Sequence, residues 1–237
     1  DDGVSAVQEM QMVTQEGNNT YVCAIEGNFD DAQTGVKNIF ANEEFKKDMA
    51  AKNKFLSSAN SINIGRLVPQ VVYYFVSYMK LVEKGAIEIG DKVNFAVPTG
   101  NFGNILAGYY AKLLGLPVNK LICASNENNV LYDFINTGAY NKNRKFHKTI
   151  SPSMDILVSS NLERLLYYLS GKNNKKVKEY MEGLSAVGKY EITVEMAEKL
   201  SEDFYGSCVI KEDAQKIIKD IYIKYGYLLD THTAVAY

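Results

Sequence analysis

The residues with the clearest chemical potential are Thr99-Gly100-Asn101-Phe102-Gly103-Asn104. Glycines at two of these positions let the backbone turn tightly and would let a ligand approach with no Cβ in the way. The segment leads from an extended apolar run, Lys92 to Val97, into Asn104 to Leu114, whose spacing predicts a helix. Amides in the first turn of a helix have no partner within it, and the helix dipole favours negative charge there. Such a loop suits a phosphate. The same glycines would also serve simply to relieve strain between a strand and a helix, and the residues alone leave both readings open. The loop has neither the Lys-Ser/Thr of a Walker loop nor the GxGxxG spacing of a dinucleotide fingerprint.

A second polar cluster, Ser58-Ala59-Asn60-Ser61-Ile62-Asn63-Ile64-Gly65-Arg66, precedes a long apolar run. Asn60, Ser61 and Asn63 offer hydrogen-bonding side chains, and Arg66 offers a planar fork suited to phosphate or carboxylate. On side-chain chemistry alone, helix capping by Asn or Ser beside a solvent-exposed Arg66 is the simpler reading. Ser151-Pro152-Ser153-Met154-Asp155 is a polar turn with no His or Lys partner nearby in sequence, and Asp230-Thr231-His232 most simply caps a final helix. His147 and His232 are the only histidines, which argues against a histidine-rich metal site.

The elements that must position these residues follow from periodicity. Ser5 to Val13 suits a short helix capped by Ser5, and the β-rich Thr20 to Ile25 predicts a strand ended by Gly27. Helices are predicted from about Asp30, over Glu43 to Ala51, and from about Arg66 to Lys84, with Pro69 tolerated in the first turn of the last. Lys92 to Val97 and Val118 to Ala124 read as strands flanking the helix from Asn104, a βαβ unit with parallel strands. A short helix follows Asn128, then a polar loop from Thr137 to Arg144. Asn161 to Tyr225 reads mainly as helices broken at Gly171, Gly188 and Gly206. The fold class is therefore α/β, a parallel sheet followed by a helical C-terminal half.

Composition narrows the classes of partner. The 237 residues are 46% hydrophobic and 23% charged, with a net charge of -2 spread along the chain, so neither a nucleic-acid surface nor a membrane-binding one is indicated. Leu67 to Met79 is too short to span a bilayer. Cys23, Cys123 and Cys208 are far apart and form no CxxC pair, which favours reduced thiols in a cytoplasmic protein and no zinc site. The chain starts Asp1-Asp2-Gly3 and stops at Ala236-Tyr237, and both ends are expected to be cuts in a longer protein.

Together these segments resemble threonine synthases, pyridoxal-phosphate (PLP) enzymes of the tryptophan-synthase-β type of fold, also called fold type II. The matching stretches are Asn60 to Arg66, Val97 to Asn104, Ser151 to Ile156 and Asp230 to Ala236. The resemblance implies conversion of O-phospho-L-homoserine and water to L-threonine and phosphate. It implies that the backbone of Thr99, Gly100, Asn101, Phe102, Gly103 and Asn104 cradles the PLP phosphate, and that Asn60 and Arg66, with Asn63 in the same shell, grip the substrate phosphate. It also implies a division into residues 1–60, the remnant of a smaller cofactor-side domain, and 61–237, part of the larger PLP-binding domain. Gly3-Val4-Ser5 resembles the middle of that smaller domain, and the family's members are monomers or homodimers. The Schiff-base lysine, expected upstream in a Phe-Lys-Asp type of segment, does not occur here, nor does a Ser-Gly-Asp-Thr-Gly type of loop. A hydroxyl partner for the pyridine nitrogen is expected beyond Tyr237, and Thr231 stands where the family usually has proline. The chain alone is therefore expected to be inactive and to bind PLP weakly or not at all, with no catalytic residue of its own. The competing readings are another enzyme of the same fold type, such as a dehydratase or cysteine synthase, and a non-catalytic binding protein on the same scaffold. The Asn60 to Arg66 segment argues against the first, whose substrates carry no phosphate.

Overall fold

A computed structural model describes residues 6–27 and 29–237. The chain divides into two compact units, residues 1–58 and 59–237.

The first unit contains three helices, α1 (Ala6–Val13), α2 (Phe29–Ala41) and α3 (Glu43–Ala51). Asn42 starts α3 by accepting from the amide of Phe45 at 2.9 Å. The expected cap Ser5, and with it the Gly3-Val4-Ser5 segment, lies outside the described residues. The strand expected over Thr20 to Ile25 is not formed. A β-rich sequence becomes a strand only where a partner strand and a surface to pack on exist, and these residues stay exposed with no ladder among the described residues.

In the second unit the apolar run after Asn63 forms not one helix but α4 (Ile64–Leu67), a 3₁₀ turn (Val68–Gln70) and α5 (Val71–Glu83). Pro69 sits inside that turn, where its missing N–H and its ring interrupt the regular ladder. Next come β1 (Val93–Pro98), α6 (Gly103–Leu113), β2 (Val118–Ser125), α7 (Val130–Thr137) and β3 (Ala139–Asn141). The remainder is α8 (Leu162–Leu169), α9 (Asn174–Ala186), β4 (Lys189–Glu191), α10 (Val194–Asp203), β5 (Phe204–Cys208), α11 (Lys211–Tyr225) and α12 (Thr231–Ala236).

The sheet has the order β1-β2-β5 and is wholly parallel, with Val97 opposite Cys123 and Cys123 opposite Gly206. Its third strand was hidden in the sequence, because Gly206 reads as a helix breaker. Gly206 instead lies in β5, where an added Cβ would stand 3.1 Å from the Tyr132 carbonyl of α7. The polar loop over Thr137 to Arg144 likewise contains β3, paired antiparallel with β4, where the Tyr140 and Tyr190 rings stack at 5.2 Å. Gly171 and Gly188 do interrupt the helices, both at positive φ.

The core gathers round α6, which buries Ile105, Leu106, Ala107 and Ala111 completely. Gly108 allows α5 to pack closely, since a Cβ there would lie 2.6 Å from the Tyr74 ring. No described helix is long and apolar enough to cross a membrane. The carboxyl ends of β1, β2 and β5 share one edge of the sheet, the edge at which open α/β sheets place their ligands.

Candidate anion-binding site

The glycine loop leaves the sheet at that edge. Thr99 still belongs to the ladder: its amide donates to Ala124 O at 2.9 Å and its hydroxyl to Val97 O at 2.7 Å. Phe102 then adopts a left-handed conformation, φ 60°, as the residue before α6. That costs a non-glycine residue roughly 1–2 kcal/mol. Burial of the ring, 1% exposed and 5.7 Å from that of Phe204, offsets it.

Polar groups of the loop divide cleanly. Its carbonyls are occupied: Gly100 O accepts from Ser159 Oγ at 2.8 Å, and Asn101 O from Asn161 Nδ2 at 2.8 Å and Asn161 N at 3.1 Å. Its amides are not. Among the described residues, those of Gly100, Asn101, Phe102, Gly103 and Asn104 donate to no protein atom. These five residues line a concavity of about 150 Å³, completed by Pro98, Thr99, Ile105, Ser61 and Ser153. Unpartnered donors round an open hollow at the start of an eleven-residue helix are the arrangement an oxyanion requires.

The two glycines are also hemmed in by protein atoms. A Cβ on Gly100 would lie 2.6 Å from Ser153 O, and one on Gly103 would lie 2.6 Å from Ser61 Oγ. Their bareness admits the neighbouring segments of Ser153 and Ser61, two residues that also line the hollow.

Of the Asn60–Arg66 segment, Ser61 lines the hollow, and Asn60, Asn63 and Arg66 are not among its lining residues. Asn63 caps α4 by accepting from Gly65 N at 3.0 Å, and Asn60 Oδ1 accepts from Ile62 N at 3.2 Å. Helix capping therefore describes Asn63 correctly. Arg66 is exposed and anchored by Nε, which donates to Ala59 O at 3.0 Å, while its terminal nitrogens donate to no protein atom among the described residues. The fork thus remains open to an anion. Asn104 is fixed between the segments, donating to Gln70 Oε1 at 3.1 Å and accepting from the Tyr74 hydroxyl at 2.8 Å.

Ser153 lines the hollow as well. Its amide donates to His232 Nε2 at 3.2 Å, and His232 Nδ1 is 3.1 Å from Asp230 Oδ1. An accepting Nε2 puts the ring proton on Nδ1, facing the carboxylate. Asp230 also caps α12, accepting from the amides of His232 and Thr233. Partial burial acts to raise its pKa, but those two amides and His232 outweigh it and hold the carboxyl below its usual range. This is no nucleophilic triad, because His232 meets the amide of Ser153 and not its hydroxyl. Ser151 and Asp155 turn inward, where Asp155 Oδ1 accepts from Asn126, Asn128 and Thr149. Burial pushes the Cys123 thiol up to about 12, against the opposing pull of the Thr99 and Ser125 hydroxyls.

Four residues of the site escape sequence reasoning: Ser159, Ser160, Asn161 and Arg164. Asn161 is fully buried and Arg164 half-buried. Their only local signal is a run of three small polar residues directly ahead of an amphipathic helix, which reads as an ordinary helix start.

No family model matches the chain. Curated proteins match it nearly end to end. Threonine synthase-like 1 of Homo sapiens is 44% identical over 238 residues, covering 100% of this chain and 32% of that protein. Threonine synthase of Pseudomonas aeruginosa is 44% identical over 232 residues, covering 98% of this chain and 47% of its own length. Among solved structures, PLP-bound threonine synthase from Brucella melitensis superposes with a TM-score of 0.83 at 40% identity, covering 98% of this chain and 48% of that one. Yeast threonine synthase gives 0.81 at 39%, covering 98% of this chain and 46% of that one. The chain therefore spans about a third to a half of the relatives it matches. In sequence and in its α/β fold, it is similar to the threonine synthases over essentially its whole length.

Proposed function

We propose that this chain supplies the phosphate-binding part of a PLP-dependent threonine synthase, which converts O-phospho-L-homoserine and water to L-threonine and phosphate. The observation that carries the reading is the row of unpartnered amides from Gly100 to Asn104 round a hollow that Ser61 also lines. PLP, when bound, supplies the electron sink for the reaction. The chain's own residues bind and orient. The Gly100–Asn104 amides hold the cofactor phosphate, with Thr99 fixing the loop to the sheet. Asn60 and Arg66, with Asn63 shaping the turn between them, hold the phosphate of the substrate. As that phosphate departs it gains charge, and a guanidinium that holds it stabilises the change, so Arg66 contributes to rate as well as affinity. Residues 1–60 and 61–237 are the corresponding parts of the smaller and larger domains. The protein works in the cytoplasm on this small-molecule substrate.

The lysine that carries the cofactor covalently lies in none of these segments, so the chain alone binds PLP weakly and turns nothing over. Mixing it with PLP is expected to produce no absorbance band of lysine-bound cofactor, and a stable band on one specific lysine contradicts that expectation. Joined to a Phe-Lys-Asp segment, the chain is expected to release phosphate and L-threonine in equal amounts from O-phospho-L-homoserine. Deamination of serine or threonine with no phosphate release would instead assign it to a dehydratase of the same fold type.

A further inference from the structure

We propose that Arg164 is a positioning residue that fixes the Asn60–Arg66 segment against the glycine loop, so that the two anion-binding segments respond as one unit. The inference deepens the functional reading above and rests on it. Arg164 projects from α8, an element that carries neither segment. Its Nη1 donates to Ser61 O at 3.0 Å and its Nη2 to Ile62 O at 2.7 Å, while Nη1 also meets Asn161 Oδ1. One planar fork thus spans two consecutive carbonyls, a geometry that the compact ammonium of lysine does not reproduce.

Asn161 closes the link. Its Nδ2 donates to Ser61 Oγ at 3.0 Å and to Asn101 O at 2.8 Å. A continuous path therefore runs from the glycine loop, through Asn161 and Arg164, to the backbone of Ser61 and Ile62. Because Ser61 Oγ accepts from Asn161, its own proton is left to donate into the hollow that it lines. Among the described residues no carboxylate lies within ion-pair distance of Arg164. Arg164 is thus held by carbonyl and amide oxygens rather than by an acid, as a fork that fixes geometry.

The test is a titration of the chain with inorganic phosphate, followed by the ¹⁵N resonances of Arg66 Nε and of the Gly100 and Gly103 amides. In the unaltered chain both sets are expected to move. In Arg164→Lys, which retains the charge but not the fork, the Arg66 response is expected to need about tenfold more phosphate while the circular dichroism spectrum is unchanged. A variant with a lowered melting temperature but an unchanged Arg66 titration would show ordinary structural support and overturn the proposal. Should Arg164→Lys not fold, Gly103→Ala decides the matter. Alanine suits the first position of α6, yet its Cβ would displace Ser61 from the other end of the path. A tenfold weaker Arg66 response is again expected, and an unaltered one overturns the coupling. If phosphate moves neither set in the unaltered chain, the phosphate reading fails before the question of Arg164 arises.

Discussion

At the scale of single residues, a phosphate-binding loop is defined as much by what occupies its carbonyls as by its exposed amides. Ser159 and Asn161 take the Gly100 and Asn101 carbonyls, and the amides that remain line the hollow. Asn161→Ala leaves Asn101 O with one donor fewer in a fully buried setting, and is expected to cost about 2 kcal/mol and to weaken phosphate binding. Urea denaturation with and without phosphate measures both. Gly100→Ala is expected to be harmful even without ligand, because its obstacle is the Ser153 backbone at 2.6 Å. A loss of about 1–3 kcal/mol in the same experiment checks this. Asp230 gives a pH dependence. Its carboxyl is depressed in the fold, so its contribution is complete above the ordinary aspartate value of 3.8 and fades as pH falls through the lower folded value. Amide exchange in α12 is expected to accelerate only in that acid window. The turn from strand to helix at Thr99–Asn104 was legible because its signals are local, whereas Arg66 by side-chain chemistry alone read as a solvent-exposed neighbour of a helix cap. Asn161 and Arg164 were not legible, because they act across about 60 and 100 positions of chain on Asn101 and Ser61.

At the scale of elements, legibility followed length and pairing. The strand–loop–helix–strand unit from Val93 to Ser125 was readable because its signals lie within one continuous stretch. β5 was missed because a five-residue strand holding Gly206 acquires its identity from β2, its only neighbour in the sheet. Thr20 to Ile25 shows the converse, since β propensity without a partner leaves an unpaired segment. Pro69 split one expected helix into three pieces, and the turn that resulted brings Gln70 within reach of Asn104. The α5–α6 contact is correspondingly tight. Gly108→Ala would press a methyl against the Tyr74 ring and the Leu121 side chain, and is expected to lower stability by about 1–3 kcal/mol without altering the loop. Thermal unfolding with an unchanged phosphate affinity would confirm that separation of roles.

At the scale of the whole molecule, the buried apolar residues among those described all lie in 59–237, whereas in the first unit Gln33 is the one described residue that is buried. A chain beginning at Ala59 is therefore expected to unfold cooperatively and to bind phosphate with undiminished affinity, as calorimetry can establish. Thiol labelling is expected to modify exposed Cys23 first and to reach Cys123 only on unfolding. The central claim is that the mouth of α6 is a receptor for a doubly charged oxyanion. Its most direct test is the ¹⁵N spectrum of the chain titrated with phosphate at constant ionic strength. The amides of Gly100, Asn101, Gly103 and Asn104 should move together and saturate along one binding curve. If they stay still while resonances elsewhere in the protein respond, the loop is an ordinary turn and the assignment built on it is wrong.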